Sequence, residues 1–117
     1  MPWWRSLGAL VVVSCGEPAS VASIDTSDPC ARLTWETFGE GYLRSWCMGC
    51  HHQALTDEDR AGAPVGVDFD TEAGAARHFE RILARAASPD RDMPPVGGSS
   101  ETERERLQTW VQCELDR

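Results

Sequence analysis

The stretch that most constrains this chain is Cys47-Met48-Gly49-Cys50-His51. Two thiols stand three residues apart, and a histidine follows the second directly. On one turn of helix, residues three apart share a face. Both sulfurs can then meet one edge of a flat group, and the imidazole can stand beneath its centre. Whatever surrounds this pentapeptide must leave room on that face.

Three chemistries use these residue types. Cys-x-x-Cys-His is the attachment signature of a c-type haem. Trp46 also completes a Trp-Cys-x-x-Cys string like that of thioredoxin-like oxidoreductases, which work by thiol-disulfide exchange. That motif follows a buried strand in a βαβ pattern, and the stretch from Thr34 to Ser45 is too polar for a central parallel strand. A zinc site on Cys47, Cys50 and His51 or His52 needs a second ligand pair at close spacing. Cys30 and Cys113 stand far apart and alone. Haem attachment is the reading these residues support best.

The chain has 117 residues, enough for one domain. Its formal net charge of −8 argues against nucleic acid and against an anionic membrane surface. The same charge suits docking to a redox partner protein that carries a basic patch.

Residues 1–14 read as a signal peptide. Arg5 supplies the positive end, and Leu7 to Val13 an apolar run too short to span a bilayer. Val12-Val13-Ser14-Cys15 resembles a bacterial lipobox, in which Cys15 receives diacylglycerol. The alternative is ordinary cleavage further on, for instance after Ala22. Residues 15–33 then form a lipidated N-terminus and flexible tether, rich in small and polar residues. Residues 34–117 form the folded domain. The expected location is the periplasmic side of a bacterial membrane, held by the lipid anchor only, or soluble in the periplasm if Cys15 is not lipidated.

Three helices are expected. Thr34 to Cys50 carries Trp35, Phe38, Tyr42, Leu43 and Trp46 at steps of three and four. Thr71 to Ala87 carries an apolar stripe of Ala73, Ala76, Phe79, Ile82, Leu83 and Ala86. Arg77, Arg81 and Arg85 form a second face, read as solvated sooner than as propionate partners. Ser100 to Leu115 opens on a Ser100/Glu103 capping box and buries Leu107, Trp110, Val111 and Leu115. Residues 55–70 and 88–99 are loops.

A haem iron with histidine on one face needs a ligand on the other, most often a methionine sulfur. Met1 leaves with the leader, and Met48 is trapped between the two cysteines. Met93, in a loop stiffened by Pro94 and Pro95, is the available sulfur. His78 is the weaker candidate, read as a packed or surface histidine.

Taken together, Thr34 to Leu115 resembles a small class I cytochrome c. The family places a glycine and a large apolar residue at four-residue steps before the first haem cysteine, and Gly39, Leu43 and Cys47 stand at those steps. It places an apolar residue and an aromatic three apart on the last helix, and Leu107 and Trp110 match. A Met-Pro pair before the last helix also matches. The resemblance implies an all-α fold with three principal helices around one covalent haem c. Cys47 and Cys50 would carry the haem, with His51 as the proximal ligand and Met93 as the distal one. Pro64 would offer its carbonyl to the His51 Nδ1–H. The implied task is transfer of one electron at a time, without catalysis. The alternatives are the thiol-disulfide oxidoreductase and a haem protein whose labile distal ligand gives way to a small molecule.

Leu43 stands where the family often has an aromatic, and Cys30 and Cys113 are additions to its pattern. With Cys47 and Cys50 on haem and Cys15 in the leader, those two remain of five cysteines. In the family's fold the first and last helices cross, which would bring Cys30 near Cys113 for a disulfide in an oxidising compartment. Two unpaired or intermolecular thiols are the alternative.

Overall fold

The structure is a computed structural model that describes Gly16, residues 27–95 and residues 97–117. The expected signal peptide, the expected lipidation of Cys15 and most of the expected tether lie outside the described residues. Among the described residues every regular element is helical and there is no strand. The expected all-α class holds.

Helix α1, Pro29–Arg32, starts where the tether was expected. Asp28 caps it by accepting from the Cys30 N–H at 2.9 Å, and Pro29 opens the first turn, where a missing N–H does no harm. Regular structure is therefore already present at Pro29–Arg32, within the stretch read as tether. The reason is Cys30: its sulfur lies at bonding distance from that of Cys113 on the last helix, with the Cα atoms 5.4 Å apart across 83 residues of sequence. That spacing suits a disulfide.

The first long helix is built in two parts. Residues Trp35–Gly39 form a π-helical turn, in which the Gly39 N–H reaches Thr34 O, five residues back. Thr34 and Thr37 cap it reciprocally, each hydroxyl accepting from the other's N–H. Helix α2, Glu40–Trp46, continues it. The widened turn presses Gly39 onto the last helix. A Cβ at Gly39 would stand 2.2 Å from Trp110 Cζ2, so only glycine fits. The crossing inferred from Gly39, Leu107 and Trp110 is therefore present.

The expected helix from Thr71 to Ala87 is broken. Helix α3, Glu72–Ala76, ends in a turn, and helix α4, Phe79–Ile82, runs into a second π-helical turn, Leu83–Ala87. His78 sits at the break with φ −125°, outside helical geometry. The break resets the helical phase. Ala73 and Ala76 face solvent, while Gly74 and Ala75 are buried with Phe79, Ile82, Ala86 and Ala87.

Helix α5, Glu101–Leu115, carries the expected Ser100/Glu103 box. It packs on α1, α4 and both π-helical turns. Leu107, Trp110 and Val111 are fully enclosed, and Leu115 is exposed. Trp110 is the hub, with ring centroids 6.4 Å from Trp35, 6.0 Å from Phe38 and 5.4 Å from Phe79. Its Nε1–H is buried without a hydrogen-bond partner. Such an orphan costs about 1–3 kcal/mol, an amount comparable with what the aromatic contacts contribute.

Candidate functional site

Helix α2 ends at Trp46, four residues earlier than expected, and the Cys-x-x-Cys-His stretch is a tight turn just beyond it. The Cys47 carbonyl accepts from both Cys50 N–H, at 3.1 Å, and His51 N–H, at 2.9 Å. Both thiols are free and half-buried. Burial, and then the neighbouring Cys50, push the Cys47 thiol up to about 12. A thiol that works in disulfide exchange is normally shifted the other way.

His51 is tightly oriented. Its Nδ1 lies 2.8 Å from Val67 O. A carbonyl can only accept, so Nδ1 carries the proton and the lone pair is on Nε2. This is the usual arrangement of a metal-ligating histidine. The ring stacks on Phe69, with centroids 4.7 Å apart and planes at 30°.

The carbonyl on Nδ1 was expected from Pro64, and here the sequence reading is corrected. Pro64 O is taken by the Val67 N–H at 3.2 Å and by Arg60 Nη2 at 2.7 Å. Pro64 to Val67 form a tight turn that needs a positive φ at its third position, and Gly66 supplies it at +89°. The turn reverses the chain, so the carbonyl that arrives at His51 belongs to Val67.

Residues 51–70 form a closed loop. Phe69 N–H donates to His51 O at 3.0 Å, and Gln53 N–H to Asp70 Oδ1 at 3.1 Å, so its neck is tied. Its centre is Arg60, only 2 % exposed. Nε donates to Ala63 O at 3.1 Å and Nη1 to His52 O at 2.8 Å. Nη2 donates to Pro64 O, to Val67 O at 3.3 Å and to Asp68 Oδ1 at 2.6 Å. Sequence reasoning missed Arg60, Val67 and Asp68. The Pro64-x-Gly66 turn signal is the one hint the sequence offered.

His78 lies on the same side as this loop. Its Nε2 is 3.1 Å from Gly66 O, and its ring meets the edge of Phe69. It supports the loop that supports His51.

Met93 is half-buried and packs against the core, as do Cys47 and Met48. Its N–H and that of Asp92 both donate to Arg85 O, at 2.9 and 3.0 Å. The Arg85 guanidinium pairs in two places with the Asp92 carboxylate, Nε lying 2.9 Å from Oδ1 and Nη2 closing on Oδ2. Arg85 is exposed like the rest of its row, and its pair with Asp92 anchors the Met93 loop. Arg81 is exposed, as expected of a solvated row. A buried hydrogen bond of 2.7 Å joins Tyr42 of α2 to Ser99 at the end of the same loop.

Among the described residues no three His, Cys, Asp or Glu side chains converge as a metal-ligand set. A c-type haem makes a different demand: two thiols, a histidine with Nε2 available, and a sulfur from elsewhere in the chain. The free Cys47 and Cys50, the Nδ1-bonded His51 and the core-packed Met93 fit that donor set. Comparison with family models, curated proteins and solved structures gave no match.

Proposed function

We propose that this chain is a single-haem cytochrome c domain of class I type that carries one electron at a time. The observation that carries the reading is the His51 imidazole directly after Cys47-x-x-Cys50, its Nδ1–H held by a backbone carbonyl. Cys47 and Cys50 would hold haem by thioether bonds, with His51 and Met93 as the iron's axial ligands. Bound haem supplies the one-electron couple.

The chain's own residues do the rest. Val67 O and Phe69 fix the azimuth of the His51 ring. The Arg85 carbonyl and the Tyr42–Ser99 bond hold the two ends of the loop that offers Met93. A thioether ligand in apolar surroundings favours the reduced state of the iron. If His51 and Met93 both hold the iron, the haem would keep no position for a substrate, which favours a carrier over a catalyst. The thiol-disulfide alternative has no strand to support it among the described residues, and the upward shift of Cys47 opposes it. Export, a lipid at Cys15 and a partner with a basic patch complete the proposal on the strength of the sequence.

The test is covalent haem. The full chain, expressed with a cytochrome maturation system, should retain haem on a denaturing gel and show a reduced-minus-oxidised c-type spectrum. The Cys47→Ser, Cys50→Ser double variant should lose both. Wild-type protein that matures without covalent haem overturns the proposal.

A further inference from the structure

The loop of residues 51–70 contains a buried cation that the proposed chemistry does not require. A guanidinium withdrawn from water needs a reason, because its desolvation is costly unless its donors are satisfied. Here each of its three nitrogens has at least one acceptor, in an unusual set. Four of the five acceptors are backbone carbonyls, of His52, Ala63, Pro64 and Val67, and the fifth is the Asp68 carboxylate. One acceptor, Val67 O, is shared with His51 Nδ1. His52 O, another, belongs to the residue directly after His51. The fork geometry of arginine thus spans both sides of the histidine's support.

We propose that Arg60 is the positioning residue for His51, setting both the orientation of its ring and the strength of the hydrogen bond on Nδ1. Resting on the haem reading for its effect on iron, the inference goes beyond it by naming the charge pair that tunes the proximal ligand. The physical argument has two parts. First, Arg60 Nη2 holds the Pro64–Asp68 segment at three points, so Val67 O cannot swing away from Nδ1. Second, a carbonyl that already accepts from a cation is a poorer acceptor for the next donor. The His51 Nδ1–H is then held less strongly as a donor, and the ring donates less electron density through Nε2. A poorer donor destabilises the ferric state relative to the ferrous, which raises the potential. Asp68, at 2.6 Å from Nη2, works against this by neutralising the cation.

The two partners therefore act with opposite sign. Replacing Arg60 by Gln removes the cation and should lower the potential. Replacing Asp68 by Asn leaves the cation uncompensated and should raise it. A role in folding alone moves both variants the same way, because loosening the loop admits water in either case. The opposed shifts should each change the ferric/ferrous equilibrium against a fixed mediator about tenfold, or about 59 mV for one electron.

The experiment is a redox titration of the full-length wild type, Arg60→Gln and Asp68→Asn, paired with NMR exchange of the His51 Nδ1–H in the reduced state. Opposed potential shifts, with faster exchange of the His51 Nδ1–H in Asp68→Asn, where the uncompensated cation weakens its bond to Val67 O, support the inference. Shifts of the same sign, no shift, or unchanged exchange overturn it. If Arg60→Gln does not fold, Asp68→Asn decides alone: an unchanged or lowered potential overturns the inference. Wild-type protein that takes up no haem overturns the cytochrome reading instead. The exchange of His51 Nδ1–H in the haem-free chain then decides on Arg60 by itself.

Discussion

Two loops present the two proposed ligands, and they are held by opposite means. The loop behind His51 closes around a buried guanidinium, and its ion pair with Asp68 has the arginine side chain only 2 % exposed. The loop that carries Met93 is held at its outer end by Arg85 and Asp92, whose side chains are 46 % and 56 % exposed. Both pairs are short and well aimed. Exposure separates them, because exposed ion pairs contribute little while removing one partner of a buried pair costs about 3–5 kcal/mol. The difference teaches that hydrogen-bond geometry alone does not rank two anchors. The His51 side is locked from within, and the Met93 side rests chiefly on two backbone hydrogen bonds to Arg85 O and on Tyr42–Ser99. The ranking can be read directly by native-state hydrogen exchange. The Phe69 N–H, bonded to His51 O, should exchange more slowly than the Met93 N–H, bonded to Arg85 O.

Outside the Arg60–Asp68 pair, the largest expected effect comes from a change that touches neither loop. Cys30 and Cys113 tie α1 to α5 across 83 residues. Replacing both by Ser should destabilise the domain by about 2–4 kcal/mol, mainly through the unfolded chain. Because covalent haem would already restrict that chain, the lower end is expected. The order of Phe69 over Met93 in exchange should survive. Urea denaturation with and without reductant measures the first claim, and a non-reduced digest should show the two peptides linked. Alkylation of both cysteines in the native, unreduced protein would remove the bridge from the account.

Gly39→Ala is next. Its methyl would lie 2.2 Å from Trp110 Cζ2, and Trp110 is enclosed by Trp35, Phe38 and Phe79, so it cannot retreat. Overpacking of this kind costs about 1–3 kcal/mol. Both loops hang from the helices that cross here, so exchange should accelerate in both together. Acceleration confined to one loop would mean that the crossing does not serve as their common frame. Adding Trp110→Leu to Gly39→Ala should recover part of the loss caused by the clash.

What the sequence disclosed follows from this division. The crossing was legible because it is steric and periodic: glycine at position 39, Leu43 one turn on, and an aromatic at 110 each have few reasons to be there. The capping box at Ser100 was legible for the same reason, being local. The Arg60 network was not. It joins one side chain to carbonyls, and every residue has a carbonyl, so no residue type at 52, 63 or 67 signals an acceptor. The shift from Pro64 to Val67 has the same origin, since a tight turn decides which carbonyl faces inward. The break at His78 was hidden because periodicity was nearly continuous across it, and the phase change shows only when Ala75 is found buried and Ala76 exposed. The helix at Pro29–Arg32 was hidden because its four residues are held by a covalent link and not by an apolar face.

The smallest effect is expected at the exposed anchor, and it carries a pH signature. Asp92 is held below the usual carboxylate range, first by its hydrogen bond from Arg85 and then by that residue's charge. A carboxyl whose folded value lies below its unfolded value favours the folded state once pH is above the unfolded value. That contribution disappears as pH falls through the folded value. Asp92→Asn removes the charge but leaves the backbone bonds from residues 92 and 93 to Arg85 O in place. The variant should therefore be slightly less stable than wild type at neutral pH, and the two should converge in acid, below the ordinary carboxylate range. Exchange of the Met93 N–H should quicken at neutral pH while that of Phe69 stays unchanged, which isolates the outer anchor from the inner one. Urea denaturation at neutral and acidic pH, with exchange followed at those two amides, measures this. A stability gap that persists undiminished in acid would show that Asp92 acts through its shape or its backbone and not through its charge. Equal acceleration at Phe69 would show that the two loops are coupled, and the contrast between a locked side and a loosely held side would fail.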